Sequence, residues 1–156
     1  MRAIVFALVG VVFATAGFTQ SVGPREGWVV IATSKSHADL KAGLNAAVKA
    51  NKMGVVTKAG PTAAARNRGI TIPENQVVGV FNNDFAVRML ALSTAAMIEA
   101  PLRFYLTEDP GGTATLSYKT PSFVFAPYAN EGGADLVALA KELDARFATI
   151  AQAATQ

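Results

Sequence analysis

The sequence contains no cysteine and a single histidine, His37. Without cysteine, the chain can form neither disulfides nor thiolate metal sites, and it lacks a cysteine nucleophile. A single histidine excludes a metal centre built on several imidazoles of one chain. Charged residues are also few, at 16 %, whereas hydrophobic residues make up 51 % of the 156 residues. This composition excludes a disordered chain and favours one folded domain.

Several familiar chemistries are missing as well. The sequence has no phosphate-binding loop, no dinucleotide fingerprint and no nucleophile elbow. We predict an exposed His37 at the start of a helix, which disfavours a Ser-His-Asp triad. Met53, Met89 and Met97 together with His37 are compatible with a soft copper site, but core packing explains them more simply. We therefore expect no cofactor and no metal.

The first residues have the pattern of a secretory signal peptide. Arg2 precedes an apolar stretch from Ala3 to Phe13, and Ala14-Thr15-Ala16 matches a signal-peptidase site. We predict cleavage near Ala16 and a periplasmic or secreted bacterial protein with no membrane span after cleavage. A retained anchor is the alternative, but a span needs about 20 apolar residues.

The charge of the mature chain gives no sign of a nucleic-acid partner. The formal net charge is +3, and removal of Arg2 with residues 1–16 leaves +2. The lysines and arginines are spread along the chain and form no basic stripe. We therefore expect a solvated, mildly basic surface and no nucleic acid.

The mature chain divides into a flexible leader, residues 17–27, and a single domain, residues 28–153. Helix caps, apolar periodicity and turn residues predict the order of the elements. Ser36 and Asp39 form the pattern of a capping box at the first helix. A loop is expected from Asn130 to Gly133, a leucine-rich helix from Ala134, and fraying after Ala153.

The clearest local prediction is a β-hairpin. Apolar residues alternate with polar ones in 102–107 and again in 114–118, as in half-buried strands. Between these stretches lies the turn sequence Asp109-Pro110-Gly111-Gly112. With three earlier strands, this predicts an α+β fold: a two-layer sandwich with a mainly antiparallel five-stranded sheet, three main packing helices, and a hairpin and a C-terminal helix at the end.

From Trp28 onward, the chain resembles the bacterial family called domain of unknown function 302. The resemblance rests on the order of several motifs: Phe81-Asn82-Asn83-Asp84, Ala100-Pro101-Leu102, Glu108-Asp109, Gly111-Gly112, and Ser117-Tyr118 with Pro121. It implies an α+β fold and a homodimer, with no established activity. Three family features are missing: a turn proline, replaced by Asp84, some relatives' cysteines, and an Asp-His pair expected near residues 60–64.

Five polar residues at positions shared with the family pattern are the candidate ligand-binding residues: Asn82, Asn83, Arg103, Glu108 and Tyr118. Structural roles are the alternatives, a helix cap for Asn83 and a turn-forming acid for Glu108. No residue is assigned as catalytic.

Three functions remain open at this stage. The first is a non-enzymatic domain that binds a small, partly apolar ligand or a protein, because aromatic residues such as Tyr105, Tyr118, Phe123 and Phe125 accompany few reactive groups. The second is a structural homodimer. The third is a hydrolase or isomerase that uses Glu108 and Tyr118, which lie on paired strands, as an acid–base pair.

Overall fold

A computed structural model describes residues 22–156 of the chain. The predicted signal peptide and residues 17–21 of the leader lie outside the described residues. The strands are β1 (Trp28–Ala32), β2 (Gly54–Ala59), β3 (Asn75–Phe81), β4 (Leu102–Glu108) and β5 (Ala114–Lys119). The α-helices are α1 (His37–Ala50), α2 (Thr62–Asn67), α3 (Asn83–Leu92), α4 (Pro121–Phe125) and α5 (Ala129–Thr155). Two 3₁₀ turns span Ala95–Glu99 and Ala126–Tyr128.

All five strands form one sheet in the order β1-β5-β4-β3-β2, and every neighbouring pair is antiparallel. The predicted α+β fold with a C-terminal helix is therefore confirmed. The β4–β5 hairpin closes through Gly111 and Gly112, whose positive φ angles of 98° and 86° suit glycine. None of the helices within residues 22–156 combines the length and apolarity needed to cross a membrane.

The sheet packs one face against the helices. Phe104 of β4 stacks on Phe147 of α5 with ring centroids 4.6 Å apart, and Tyr118 of β5 contacts Phe104 edge-on at 5.2 Å. Leu40 and Leu44 bring α1 into the same core and are almost fully buried. Because side chains alternate along a strand, residues 102, 104 and 106 face this core and residues 103, 105 and 107 face the other way.

The start of α1 follows the predicted capping box. Ser36 precedes the helix with extended backbone angles, and its Oγ accepts a hydrogen bond from the Asp39 N–H at 3.1 Å. The same hydroxyl donates to Asp39 Oδ2 at 2.7 Å. The first of these bonds satisfies one backbone donor that a helix start leaves open, and the second joins the two side chains of the cap.

The structure corrects both ends of the last helix. The predicted loop at Asn130–Gly133 is wrong, because helical structure begins at Ala129 and breaks only at Gly133, where φ is 58°. Fraying after Ala153 is not observed either: the helix continues to Thr155, and Ala154 is fully buried. Burial of this last turn against α1 accounts for its order, since the Lys35 Nζ also donates to the Ala154 carbonyl at 3.1 Å.

Candidate functional site

The sheet face opposite the packed helices carries a groove of about 450 Å³, called here the second-face groove. It lies over the middle strands, and a neighbouring concavity of similar volume continues it toward α4. Arg103, Lys119 and Val124 belong to both. The other residues of the groove itself are Trp28, Asn75, Val77, Leu102, Tyr105 and Tyr118.

Strand register places the two cations of the groove side by side. Lys119 pairs with Trp28 of β1, and Arg103 pairs with Gly79 of β3. Because Phe104 pairs with Tyr118, the preceding Arg103 and the following Lys119 oppose each other on β4 and β5. One row across the sheet therefore carries an indole ring, an ammonium group and a guanidinium group.

Gly79 pairs with Arg103 at the end of this row, and other side chains fill the space beside it. A Cβ atom at this position would lie 2.1 Å from Thr57 Oγ1 and 2.8 Å from Pro101 Cγ. Both distances are far below van der Waals contact, so no larger residue fits without displacing its neighbours. The glycine thus permits close packing of Thr57 and Pro101 at the end of the row.

The next row supplies the aromatic floor of the groove. Tyr105 pairs with Val77 on one side and with Ser117 on the other. The Tyr105 hydroxyl accepts a hydrogen bond from Asn75 Nδ2, which holds the phenol ring over the sheet. Tyr105 and Val77 are half-buried, whereas Ser117 beneath them is fully buried.

Cations surround the single tryptophan of the chain. The guanidinium carbon of Arg25 lies 5.1 Å from the Trp28 ring centroid, and Lys119 Nζ lies 5.8 Å from it. Both distances allow cation–π attraction. The continuing concavity contributes one acid, Glu99, whose Oε1 accepts a hydrogen bond from the Tyr128 hydroxyl at 2.8 Å. That hydrogen bond raises the pKa of Tyr128 above its ordinary value.

Two of the five predicted site residues line this groove. Arg103 is exposed and central to it. Tyr118 borders the groove, but its ring packs in the core against Phe104 and Phe147, and the residue is only 4 % exposed. Burial, and secondarily the charge of Asp144, raises the pKa of the Tyr118 phenol.

Asn82 and Asn83 lie away from the groove, at the start of α3. Asn82 is the N-cap: its Oδ1 accepts from the backbone N–H groups of Asp84 and Phe85 at 2.9 and 3.1 Å. Its Nδ2 donates to the Lys52 carbonyl at 2.8 Å. Asn83 is the first helical residue and is exposed. The cap predicted at Asn83 is therefore wrong by one residue.

Glu108 does not meet Tyr118. Glu108 pairs with Ala114 near the hairpin turn, and Tyr118 pairs with Phe104 at the other end of β4. Four residues of strand, about 13 Å, separate the two pairs. Instead, Glu108 Oε2 accepts a hydrogen bond from the Glu74 backbone N–H at 2.8 Å. The arrangement holds β3 and β4 in register and forms no acid–base pair with Tyr118.

The prediction of an exposed His37 is wrong. His37 is 7 % exposed, because the first turn of α1 packs onto the sheet near the end of β4. Burial lowers the pKa of His37 below 6.5, and the nearby carboxylates of Glu74 and Glu108 oppose that shift. Its Nε2 is buried and finds no hydrogen-bond partner among the described residues.

Met53, Met89 and Met97 all line one small apolar cavity of about 40 Å³ between the sheet, α3 and α5. Met53 and Met89 are buried members of the core. His37 is not part of this cavity, so the structure does not assemble the set of methionines and histidine that the sequence allowed. Within residues 22–156, no three His, Asp or Glu side chains cluster as metal ligands would.

Sequence patterns missed Trp28 and Lys119 as site residues. Both lie on strands, and nothing within their own segments distinguishes them from ordinary sheet residues. Lys119 opposes Arg103 within the β4–β5 hairpin, whereas Trp28 joins them only when β1, the first strand, pairs with β5, the last. The single local hint was that the only tryptophan of the chain follows the turn at Gly27.

Comparison with known proteins bears on the fold and the family. The profile of the family described as "Domain of unknown function DUF302" matches residues 29–154. The crystal structure of an uncharacterized conserved DUF302 protein from Bacillus stearothermophilus is similar, with a TM-score of 0.73 and 15 % sequence identity. The similarity covers 85 % of this chain and 100 % of that one. A comparison with curated proteins found no match. With most of its length matched by the profile, the chain belongs to the DUF302 family.

Proposed function

We propose that this chain is an exported domain of the bacterial cell envelope that binds a small, partly apolar molecule in the second-face groove. The observation that carries the proposal is the groove itself, about 450 Å³ in volume and bordered by Trp28, Tyr105 and Val77. Ligand sites of small molecules occupy about 300 to 1,000 Å³ and combine apolar walls with a few polar groups. The second-face groove has this size and this composition.

The distribution of reactive groups favours binding over catalysis. Glu108 and Tyr118, the pair considered for acid–base chemistry, lie at opposite ends of the hairpin. Glu108 is engaged by the Glu74 backbone, and the Tyr118 ring lies in the core. The groove therefore offers shape, aromatic surface and charge to a ligand without an adjacent acid–base pair of these residues.

Export rests on the sequence of the first residues. Arg2, the apolar stretch and Ala14-Thr15-Ala16 together have the order of a signal peptide. Cleavage near Ala16 leaves a cysteine-free chain, which avoids mispaired disulfides in an oxidising compartment. Trp28 would then lie about a dozen residues from the new N-terminus.

A homodimer is the alternative function, and the exposed edge of the sheet favours it. β2 is an edge strand, and Val56 at its centre is 54 % exposed. An edge strand offers unpaired backbone groups to a second copy. However, β2 carries Lys58 and an irregularity in its register between Val55 and Thr57, both of which discourage pairing of edges.

Native mass spectrometry of protein purified from the envelope of its own host, without refolding, tests both functions. We expect a chain shortened by residues 1–16 that retains an added small-molecule mass under gentle conditions. Added mass that is present in the parent protein and lost in Tyr105→Ala would support the second-face groove. Val87→Ala is the matched control, because Val87 on α3 is 68 % exposed and lies outside the groove.

Other outcomes of this measurement would contradict the proposal. A bare dimer at working concentration would favour the structural homodimer. A bare monomer, or an added mass that Tyr105→Ala leaves in place, would remove the groove as the site. An uncleaved chain would contradict export with processing.

A further inference from the structure

The second-face groove is bordered by two positively charged side chains. Arg103 and Lys119 oppose each other on β4 and β5, and both are exposed to solvent. Each borders the groove and the concavity that continues it. Any molecule that occupies either space therefore meets both cations.

Neither cation has an anionic partner within the part of the chain that the structure describes. The ion pairs there are Arg66 with Glu74 and Arg88 with Glu142, and neither pair includes Arg103 or Lys119. Glu99 is the acid among the groove and concavity linings, and its carboxylate accepts the Tyr128 hydroxyl. The charge of Arg103 and Lys119 is thus left for a ligand.

Apolar surface lies directly beside these charges. Trp28 is paired with Lys119 in the same row, and Tyr105 and Val77 form the next row of the same face. At this face, a flat or flexible apolar body would cover the aromatic rings while an attached anionic group reached the guanidinium and ammonium groups. Arg103 offers a planar fork of donors that matches a carboxylate, and Lys119 offers a compact charge.

Resting on the proposed function, we infer that the ligand class is a small free organic anion with an apolar body, such as an aryl or alkyl carboxylate. The anionic group is held between Arg103 and Lys119. The apolar body lies on Trp28 and Tyr105. A neutral molecule of the same shape loses the interaction with both cations, and a cationic one is repelled by them.

Isothermal titration calorimetry with three matched probes tests this ligand class. The probes are phenylbutyrate, phenylbutanol and phenylbutylamine, which share the ring and the chain and differ in charge. We expect phenylbutyrate to bind about tenfold more tightly than phenylbutanol, and phenylbutylamine to bind most weakly. Added salt should weaken the binding of phenylbutyrate and leave that of phenylbutanol unchanged, since salt screens exposed charges.

Variants of the two cations locate the anionic group. We expect Arg103→Gln and Lys119→Gln each to weaken phenylbutyrate binding about threefold to tenfold and to leave phenylbutanol binding unchanged. Lys141→Gln is the matched control, because Lys141 is an exposed residue of α5 outside the groove. Its affinity for phenylbutyrate should equal that of the parent protein.

The outcomes separate the two proposals. If no probe binds, the groove is not a site for such molecules, and the proposed function fails with the ligand class. If phenylbutanol binds as tightly as phenylbutyrate, or if Arg103→Gln and Lys119→Gln have no effect, the anionic class is wrong. Loss of probe binding in Tyr105→Ala then shows that the groove stands. Binding of the parent protein to phosphatidylglycerol vesicles with no affinity for phenylbutyrate would replace a free anion by a membrane surface and overturn the inference.

Discussion

Replacement of Asn82 by alanine distinguishes a structural asparagine from a ligand-binding one. The side chain caps α3 through two acceptor contacts, to the N–H groups of Asp84 and Phe85, and it donates to the Lys52 carbonyl. Loss of an N-cap costs about 1 kcal/mol, within a range of 0.5 to 2. The donated hydrogen bond is exposed and adds roughly 0.5 kcal/mol. We therefore expect Asn82→Ala to lower the free energy of unfolding by about 1 to 2 kcal/mol.

Urea denaturation followed by far-UV circular dichroism measures this loss. With a slope of about 1 to 3 kcal/mol per molar urea, the midpoint should fall by roughly 0.5 to 1 M. Asn82→Asp keeps an acceptor for the helix N–H groups and removes only the donor to Lys52, so it should cost less than half as much. Asn83→Ala is the neighbouring control and should stay within about 0.5 kcal/mol of the parent protein, as exposed substitutions do.

Two results would refute this reasoning. One is a midpoint for Asn82→Ala that matches that of Asn83→Ala, because the cap would then contribute nothing. The other is an Asn82→Ala protein that folds with normal stability but loses affinity for phenylbutyrate. The side chain would in that case belong to the ligand site and not to the helix.

Three further predictions concern the core and its pH dependence. Phe147→Ala removes the ring stacked on Phe104 and should lower the free energy of unfolding by about 3 to 5 kcal/mol in urea denaturation; a loss below about 1 kcal/mol would contradict a packed aromatic core. Gly79→Ala should lower the thermal midpoint, since its Cβ would lie 2.1 Å from Thr57 Oγ1, and Thr57→Ala should restore part of the loss. The pKa of His37 is lowered in the folded state, so the unfolded chain takes up the proton first as the pH falls. The contribution of His37 to the free energy of unfolding should therefore be complete above pH 6.5 and decrease as the pH falls below that value. The urea midpoint of His37→Gln should depend less on pH between 7.5 and 5.5; equal slopes would contradict a neutral buried imidazole.

Local patterns predicted the elements of this fold because each element depends on neighbouring residues. The β4–β5 hairpin follows from alternation around a Gly-Gly turn, and the start of α1 follows from the hydrogen bonds of Ser36 with Asp39. Both are satisfied within a few residues of the chain. Such features need no knowledge of the rest of the molecule.

The predictions that failed depend on tertiary packing. His37 lies at a helix start, where the sequence alone predicts exposure, and only the contact of α1 with the sheet buries it. The segment before Gly133 has the composition of a loop, but Glu131 accepts the Ser93 hydroxyl and Gly132 lies close to Leu136 and Leu92, which hold this turn against the core. Gly133, with its positive φ of 58°, then accommodates the break in the helix.

The sequence predicts only some of the residues of the candidate site. Arg103 is a predicted site residue because its position is shared with the family pattern, but Trp28 of the same row comes from β1. The first strand pairs with the last across most of the chain length, and the local alternation of polar and apolar residues does not predict which strands pair. The prediction of an acid–base pair failed for a different reason. Paired strands bring only opposing positions together, and Glu108 and Tyr118 do not oppose each other in the β4–β5 hairpin.

The central claim, that the second-face groove binds a small organic anion, is tested most directly by nuclear magnetic resonance of ¹⁵N-labelled mature protein titrated with phenylbutyrate. The indole N–H of Trp28 gives one resolved signal, because the chain has a single tryptophan. We predict that this signal and the amide signals of Arg103, Tyr105 and Lys119 shift together along one saturating curve. Saturable shifts confined to the cavity around Met89, or no shifts at all, would contradict it.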